Sequence, residues 1–490
     1  MTLDLTYTGH AFVDIGLAVL TAFVGKTDPY DLTEADLEQV AAYIAANYVK
    51  LPLKAHLTMA FTSNAWFAQD AYNPDKENLT AAQRAERTAK RLLWRTRHTD
   101  QWHAPLAADS VPPAMCIFTG LPAVPEPLSG SLERGRAGRA QLPGLQGDET
   151  INFFAEGHPG IPISGVAVLA LQAFPLGCAK CGVGLLAVHT DNPQLTLRIA
   201  RKFWQENERQ IAQAQASGNT KLPVAPRSLK TLLIETLLEV QADVEDQHWI
   251  APSVTAYNFT NGQTAACDIY YLPLEVMGFL QAAHSATHKQ AWHALVRRWW
   301  ERPKAKKGQE APPPRQNYLY EDLFELPIGA AAFIRKYLIS PQQPVAWNLI
   351  ELFLRKVITM DKERIQQIRQ LGDGLADYVR RSGGKRFFRN FSTERSPYAL
   401  RSLLIRANIE RVRSGAPPLF TMDSYIEVFE EGEEVMRADW LLARDLVLMR
   451  MIDQLQDWLQ ANADALPKPD EADTAEAEEQ PTQAEAPLFN

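Results

Sequence analysis

Cysteine is scarce, with four in 490 residues. So few cannot hold a disulfide scaffold at this length, and a reducing, cytoplasmic compartment is expected. Long apolar runs are missing too. The longest, Ile15 to Val24 and Gly165 to Leu171, fall well short of the ~20 residues that span a bilayer, so no membrane-spanning helix is expected. The opening residues MTLDLTYTGHAFVDIG contain no basic region and no cleavage site, which argues against a secretory signal. Neither sign of charge dominates, with 50 Lys+Arg against 58 Asp+Glu. What is plentiful is apolar residue, 46% of the chain, enough for two or three domains with sizeable cores and too much for a disordered chain.

Signatures of catalysis are missing as well. Gly25-Lys26-Thr27 resembles the end of a phosphate-binding loop, but Leu20 stands where its first glycine belongs, after a helical rather than a strand pattern. Ser164, His189 and Asp191 are the residue types of a hydrolase triad, yet no G-x-S-x-G elbow surrounds the serine. No cluster of His and Asp suggests a two-metal nuclease. Cys178-Ala-Lys-Cys181 is half of a tetrahedral zinc site. The other half is hard to find, because Cys116 is followed by Thr119 where a second knuckle needs cysteine, and Cys267 is isolated. The pair equally suits a turn whose thiols pack as small hydrophobes.

Charge is segregated along the chain. From Asp464 to Asn490, eight acidic residues against Lys468 alone leave −7, so the rest of the chain is near −1. Arg355 to Arg413 holds fifteen basic and six acidic residues, and smaller basic segments lie at Arg84 to Arg97 and His284 to Arg315. Base gathered in three places suits a polyanion binder, and solvated helix faces equally well.

Periodicity predicts helices over Phe12 to Val24, Glu34 to Val49 with Thr33 as N-cap, Ser164 to Phe174 and Leu195 to Ser217. It predicts a buried strand over Gly182 to Thr190, and a hairpin of Ser253 to Phe259 with Ala265 to Leu272 around Asn261-Gly262. Val111 to Pro162, rich in Pro and Gly, reads as loop with Arg134, Arg136 and Arg139 near its tip. Past about Glu325 only helical spacing remains, in Trp347 to Ile358, Ile365 to Val379, Tyr398 to Val412, Tyr425 to Val435 and Trp440 to Leu459. The fold class is therefore α+β, predominantly α. A mixed N-terminal domain over 1–325, with a surface linker at about 301–316, precedes a helical bundle over 326–464. A disordered acidic tail, 465–490, follows.

Tyr7-Thr8-Gly9-His10 leading into Phe12-Val13-Asp14-Ile15-Gly16, Asn152-Phe153-Phe154, Ala170 to Gly177 with a nearby Cys-Gly, and Thr255-Ala-Tyr-Asn-Phe-Thr-Asn261 occur in that order. Together they resemble the large subunit of type I-B, and related I-A, CRISPR Cascade surveillance complexes. The similarity runs over roughly Tyr7 to Leu272. The C-terminal third matches in architecture. Relatives often carry paired cysteine knuckles near Cys116 and Cys178, which Thr119 and the stretch 160–165 leave incomplete.

The resemblance implies a non-catalytic subunit of antiviral defence that reads the protospacer-adjacent motif in double-stranded DNA and aids R-loop formation. Its implied partners are guide RNA, the Cascade backbone, guide-handle-binding and small subunits, and a separate helicase-nuclease. No membrane partner and no cofactor are expected, zinc at Cys178 and Cys181 being the weak exception. In some relatives the small subunit starts within this reading frame, and Met360 is suitably placed. Amides that can read groove edges are Asn64, Asn258, Asn261 and Gln263, with simple turn chemistry as the other reading, above all for Asn261 before Gly262. Cations suited to DNA backbone and displaced strand are Arg84, Arg87, Arg91, Arg134, Arg136, Arg380, Arg381, Lys385, Arg386, Arg389, Arg401 and Arg406; Phe387, Phe388 and Phe391, interleaved among them, suit either base stacking or the core. Two other readings stay open: a zinc-dependent or redox enzyme centred on Cys178 and Cys181, and a scaffold with no direct DNA contact.

Overall fold

The computed structural model describes residues 3–103, 115–144, 159–242, 251–261, 265–304, 310–339, 345–381, 384–431 and 436–462. Helix predominates and the sheets are small and antiparallel, so the fold is α+β, predominantly α. The chain forms two compact units. One comprises Met1–Gln281 with Val296–Phe324, the other Ala282–Leu295 with Glu325–Asn490. The last stretch of the first unit ends at Phe324, and Ala282–Leu295, within the region read from sequence as one N-terminal domain, falls in the second unit. No described helix is long and apolar enough to cross a membrane.

The first unit is built around α1 (Ala11–Phe23), in which every residue from Val13 to Ala22 is buried. A helix apolar all round must be enclosed on all sides. Helix α2 (Glu34–Asn47) starts at a capping box in which Thr33 and Asp36 exchange hydrogen bonds, while α3 (Ala81–Trp94) lies largely exposed and buries only Trp94, stacked on Trp66 at 3.8 Å. The nine residues of α4 (Gly165–Ala173) are all buried, and α5 (Pro193–Ala216) packs along α1, with Trp204 against Phe23 at 5.1 Å. Helix α6 (Leu229–Ala242) follows.

Against these helices lies a sheet of β1 (Ala179–Cys181), β2 (Gly184–Thr190), β3 (Val254–Asn261) and β4 (Ala265–Leu272), antiparallel in that order. Phe259 pairs with Leu185 on one side and Cys267 on the other. The segment expected as a linker is anchored: Glu301 N–H donates to the Gln316 carbonyl, and Tyr318 N–H to that of Trp299.

His56 lies inside this unit with its Nε2 3.0 Å from the Pro175 carbonyl. Burial pulls its pKa from 6.5 to about 4, so the ring stays neutral and donates. Because the unfolded chain takes up this proton first as pH falls, stability is lost between about 6.5 and about 4. The full loss is about 3 kcal/mol. His56→Gln keeps a donor but does not titrate. Its urea midpoint is expected to change less between these two pH values than that of the parent. Parallel pH profiles for the two chains would sink the assignment.

In the second unit, α7 (Trp347–Lys356) precedes α8 (Lys362–Arg381), which packs along α12 (Trp440–Gln454). Between them come α9 (Lys385–Thr393), α10 (Pro397–Arg413) and α11 (Met422–Phe429), and α13 (Gln456–Ala461) closes the series. The helix expected over Tyr425 to Val435 stops at Phe429. Glu430 is extended there, its carbonyl accepts Arg437 Nε at 2.9 Å, and it bridges to Met436 as the chain doubles back. Met360, buried, lies just before α8 and donates its N–H to the Leu354 carbonyl.

Candidate nucleic-acid interface

The residues behind the family resemblance converge in the first unit. Asp14 is 2% exposed, yet accepts from Thr8 N at 2.6 Å, Thr8 Oγ1 at 2.8 Å, Gly9 N at 2.9 Å and His189 Nε2 at 3.2 Å. Burial opposes its ionisation, but these bonds outweigh it and hold the carboxyl below its usual range. Phe12 stacks on Phe174 at 4.6 Å and meets Tyr257 and Phe259 at 5.3 and 5.4 Å. Gly16 faces the Ala170 backbone so closely that a Cβ would stand 2.2 Å from its carbonyl oxygen. These residues build a framework. The segment Asn152 to Phe154 lies outside the described residues.

One end of the same unit gathers candidate DNA-contacting groups. Asn261 donates its N–H to the Met59 carbonyl at 2.7 Å and its Nδ2 to that of Ala60 at 3.3 Å. Gly144 N–H also reaches the Ala60 carbonyl, and the Thr62 hydroxyl reaches that of Arg139. The Met59–Asn64 turn, the end of β3 and the loop bearing Arg134, Arg136 and Arg139 are therefore joined. Asn64 and Arg134 are exposed there. Arg136 begins a two-residue strand paired with Ile161–Pro162 and donates to the Gly160 carbonyl at 3.0 Å.

Asn261, offered above as a base reader, is buried at 4% and committed to holding this junction, so it is not a surface group. A sheet end needs its amide more than solvent does. Asn258 is half-buried beside Gly184, with its Oδ1 enclosed and unpartnered. Gln263 lies outside the described residues. Along α3, Arg84 is exposed, Arg87 donates to the Asn73 carbonyl at 3.1 Å, and Arg91 stands 3.9 Å from Asp75.

In the second unit the basic segment divides between interior and surface. Arg364 forks onto Asp439 with two bonds of 2.8 Å, and Arg411 pairs with Asp377. Arg380 donates to the Gln454 carbonyl and Arg381 shares Asp377. Lys385, Arg386 and Arg389 form the exposed face of α9. On α10, Arg406 is exposed and Arg401 lies 3.9 Å from Glu430. Phe387, Phe388 and Phe391 all point inward: Phe387 meets Tyr378 edge-on at 5.1 Å, and Phe388 approaches Trp458. Their stacking on bases is excluded in this conformation. The spacing 387, 388, 391 already fits one helical face, which is the signal for core rather than contact.

Cys178 is buried and donates its thiol to the Phe174 carbonyl at 3.4 Å, whereas Cys181 ends β1. Burial raises both thiols, against the deprotonation that zinc requires. Cys116 keeps the form of a knuckle without the second cysteine. Thr119 N–H reaches its Sγ at 3.5 Å and Gly120 N–H its carbonyl, while the Thr119 hydroxyl bonds Ser164 at 3.0 Å. Burial would raise this thiol, but bonds with Thr119 and Ser164 prevail and lower it. Among the described residues no three His, Cys, Asp or Glu side chains stand together as metal ligands. The triad types also separate, with Ser164 capping α4, His189 on Asp14 and Asp191 on Ser253. Compared with family models, with curated proteins and with solved structures, the chain matches none.

Proposed function

We propose that the chain is the non-catalytic large subunit of a type I CRISPR RNA-guided surveillance complex. It would read a short duplex motif, aid R-loop formation and recruit a separate helicase-nuclease. The observation that carries this reading is the convergence of the resembling segments. Asp14 on Thr8 and His189, Phe12 on Phe174 and Phe259, and Gly16 on Ala170 link positions up to 247 residues apart. Segments that resemble those of one framework are expected to meet in space, and this packing is consistent with that reading. In such complexes base pairing reads most of the target, and protein needs only a few groove-facing groups and a cationic path. Asn64 with Arg134 in the first unit, and Lys385, Arg386, Arg389 and Arg406 in the second, are exposed groups of those types.

The test is to express the chain with the genes encoded beside it. Guide RNA and backbone subunits are expected to co-purify and to bind a duplex bearing the target and its motif. Replacing Lys385, Arg386, Arg389 and Arg406 together by Ala should leave assembly intact. Target binding should weaken about tenfold or more near 0.1 M salt, and the slope of log K against log salt should fall by about 0.9 for each phosphate that is no longer neutralised. A chain that co-purifies with no RNA, or a variant with the parental salt slope, defeats the proposal.

A further inference from the structure

Helix α10 is the least covered long helix of the second unit. It buries only Leu400, Leu404 and Ala407. Its outward side is apolar for a surface: Tyr398 is 82% exposed, Ile405 44%, Ile409 47% and Val412 53%. At about 100° per residue these four fall within an arc of about 60°, one continuous seam. Arg401 flanks it on one side and Arg406 and Arg413 on the other, all exposed. Arg406 and Arg413 have no ion-pair partner among the described residues. An apolar seam edged with cations calls for an occupant that is acidic and also carries large apolar side chains.

The sequence contains such an occupant. The segment Asp464 to Asn490 has a net charge of −7 and includes Pro487-Leu488-Phe489. It follows α13, which belongs to the same unit as α10. Extended, 27 residues reach about 90 Å, several times the radius of about 16 Å expected for a unit of this size. The tether therefore permits the contact and holds the segment at an effective concentration in the millimolar range.

We infer that the acidic segment 464–490 binds in cis to the outer face of α10, with Leu488 and Phe489 on the seam of Tyr398, Ile405, Ile409 and Val412 and its carboxylates on Arg401, Arg406 and Arg413. A polyanion in that position competes with nucleic acid for the same cations. It suppresses non-specific binding until a target displaces it. The competition rests on the function proposed above; the contact does not.

The two are separable by experiment. With p-benzoylphenylalanine in place of Phe489 in the full-length chain, irradiation at low salt is expected to give cross-links mapping to Tyr398–Arg413. They should disappear in the Arg401→Glu, Arg406→Glu, Arg413→Glu variant, whose substitutions are all on the surface and whose fold is checked by its melting curve. Cross-links that fall elsewhere, or that survive charge reversal, overturn the contact. Cross-links that join light to isotopically heavy chains in a mixture show a second copy as occupant and overturn the cis arrangement. In the second arm, replacing the eight acidic residues by their amides should raise affinity for mixed-sequence duplex DNA about tenfold at low salt. If cross-linking succeeds and DNA affinity is unchanged, the contact stands and the competition is refuted.

Discussion

A chain with valine at position 16 is expected not to fold its first unit at 37 °C. Gly16 lies within α1, where α1 crosses α4, and a Cβ there would meet the Ala170 carbonyl oxygen at 2.2 Å, its carbon at 2.6 Å and the Cα at 3.1 Å. All three are backbone atoms of a helix buried on every side, so no rotamer change relieves the overlap. The two helices must separate and open the packing of α1 against α5 and the sheet. Overpacking costs typically 1–3 kcal/mol where side chains can yield; with backbone on both sides about 4 kcal/mol or more is expected. That is a large share of the 5–15 kcal/mol that typically holds a domain. Gly16→Ala should be strongly destabilising too. Gly130→Ala, at a glycine with nothing within 4 Å, should be close to neutral. Thermal denaturation of the three variants decides the matter, and melting of Gly16→Val within about 2 °C of the parent would refute the tight crossing.

Arg444→Met is expected to have the largest effect in the second unit. Arg444 is 2% exposed on α12; its Nη1 donates to the carbonyls of Ser392 at 2.7 Å and Phe391 at 3.4 Å, and its Nη2 pairs with Asp445 at 2.6 Å. Burial lowers its pKa despite the nearby carboxylate. The guanidinium thus fixes the last turn of α9 to α12 and thereby places Lys385, Arg386 and Arg389. Methionine fills much of the volume but leaves two inward carbonyls without a donor. A loss of about 3–5 kcal/mol follows. Hydrogen exchange should rise throughout α9, and on the function proposed above DNA affinity should fall although no exposed cation has been changed. Arg444→Lys should fall between, since an ammonium group keeps the charge but not the fork. Parental protection of α9 in Arg444→Met would rule the anchor out.

The elements with a full helical or alternating period were legible from the sequence. Helix α2 begins at Thr33 and Asp36 because a capping box is local chemistry, and β2 and the β3–β4 hairpin follow from their apolar patterns. Several helices were not read as such, α3, α6 and α9 among them. Helix α3 has a polar sequence with only Trp94 buried, so no apolar stripe announces it. Helix α9 is short and lies between basic residues, and although the spacing of its three phenylalanines favours core, the partners that enclose them, Tyr378 and Trp458, come from α8 and α13. The site was less legible than the fold. Asn261 looked like turn chemistry, and its role depends on Met59 and Ala60, some 200 residues away. Arg364 and Arg411 belong to a basic run, but Asp439 and Asp377 draw them inward. Charge counts cannot separate a cation with an internal partner from one left facing solvent.

The division of the chain into units also bears on how the protein is made. The path crosses between the units three times, because Ala282–Leu295 belongs with the residues that follow Phe324. On the ribosome this stretch emerges long before the rest of its unit. Trp292, fully buried in the finished protein, lies in this stretch, whose unit is completed only by residues beyond Phe324. At typical elongation rates of about 5–20 residues per second, that delay is on the order of ten seconds. The first unit cannot close cleanly either, since Val296–Phe324 is synthesised after the excursion. A nascent chain of this design exposes apolar surface of Ala282–Leu295 during the interval when it is most prone to associate with its neighbours, and rapid passage through Val296–Phe324 shortens that interval.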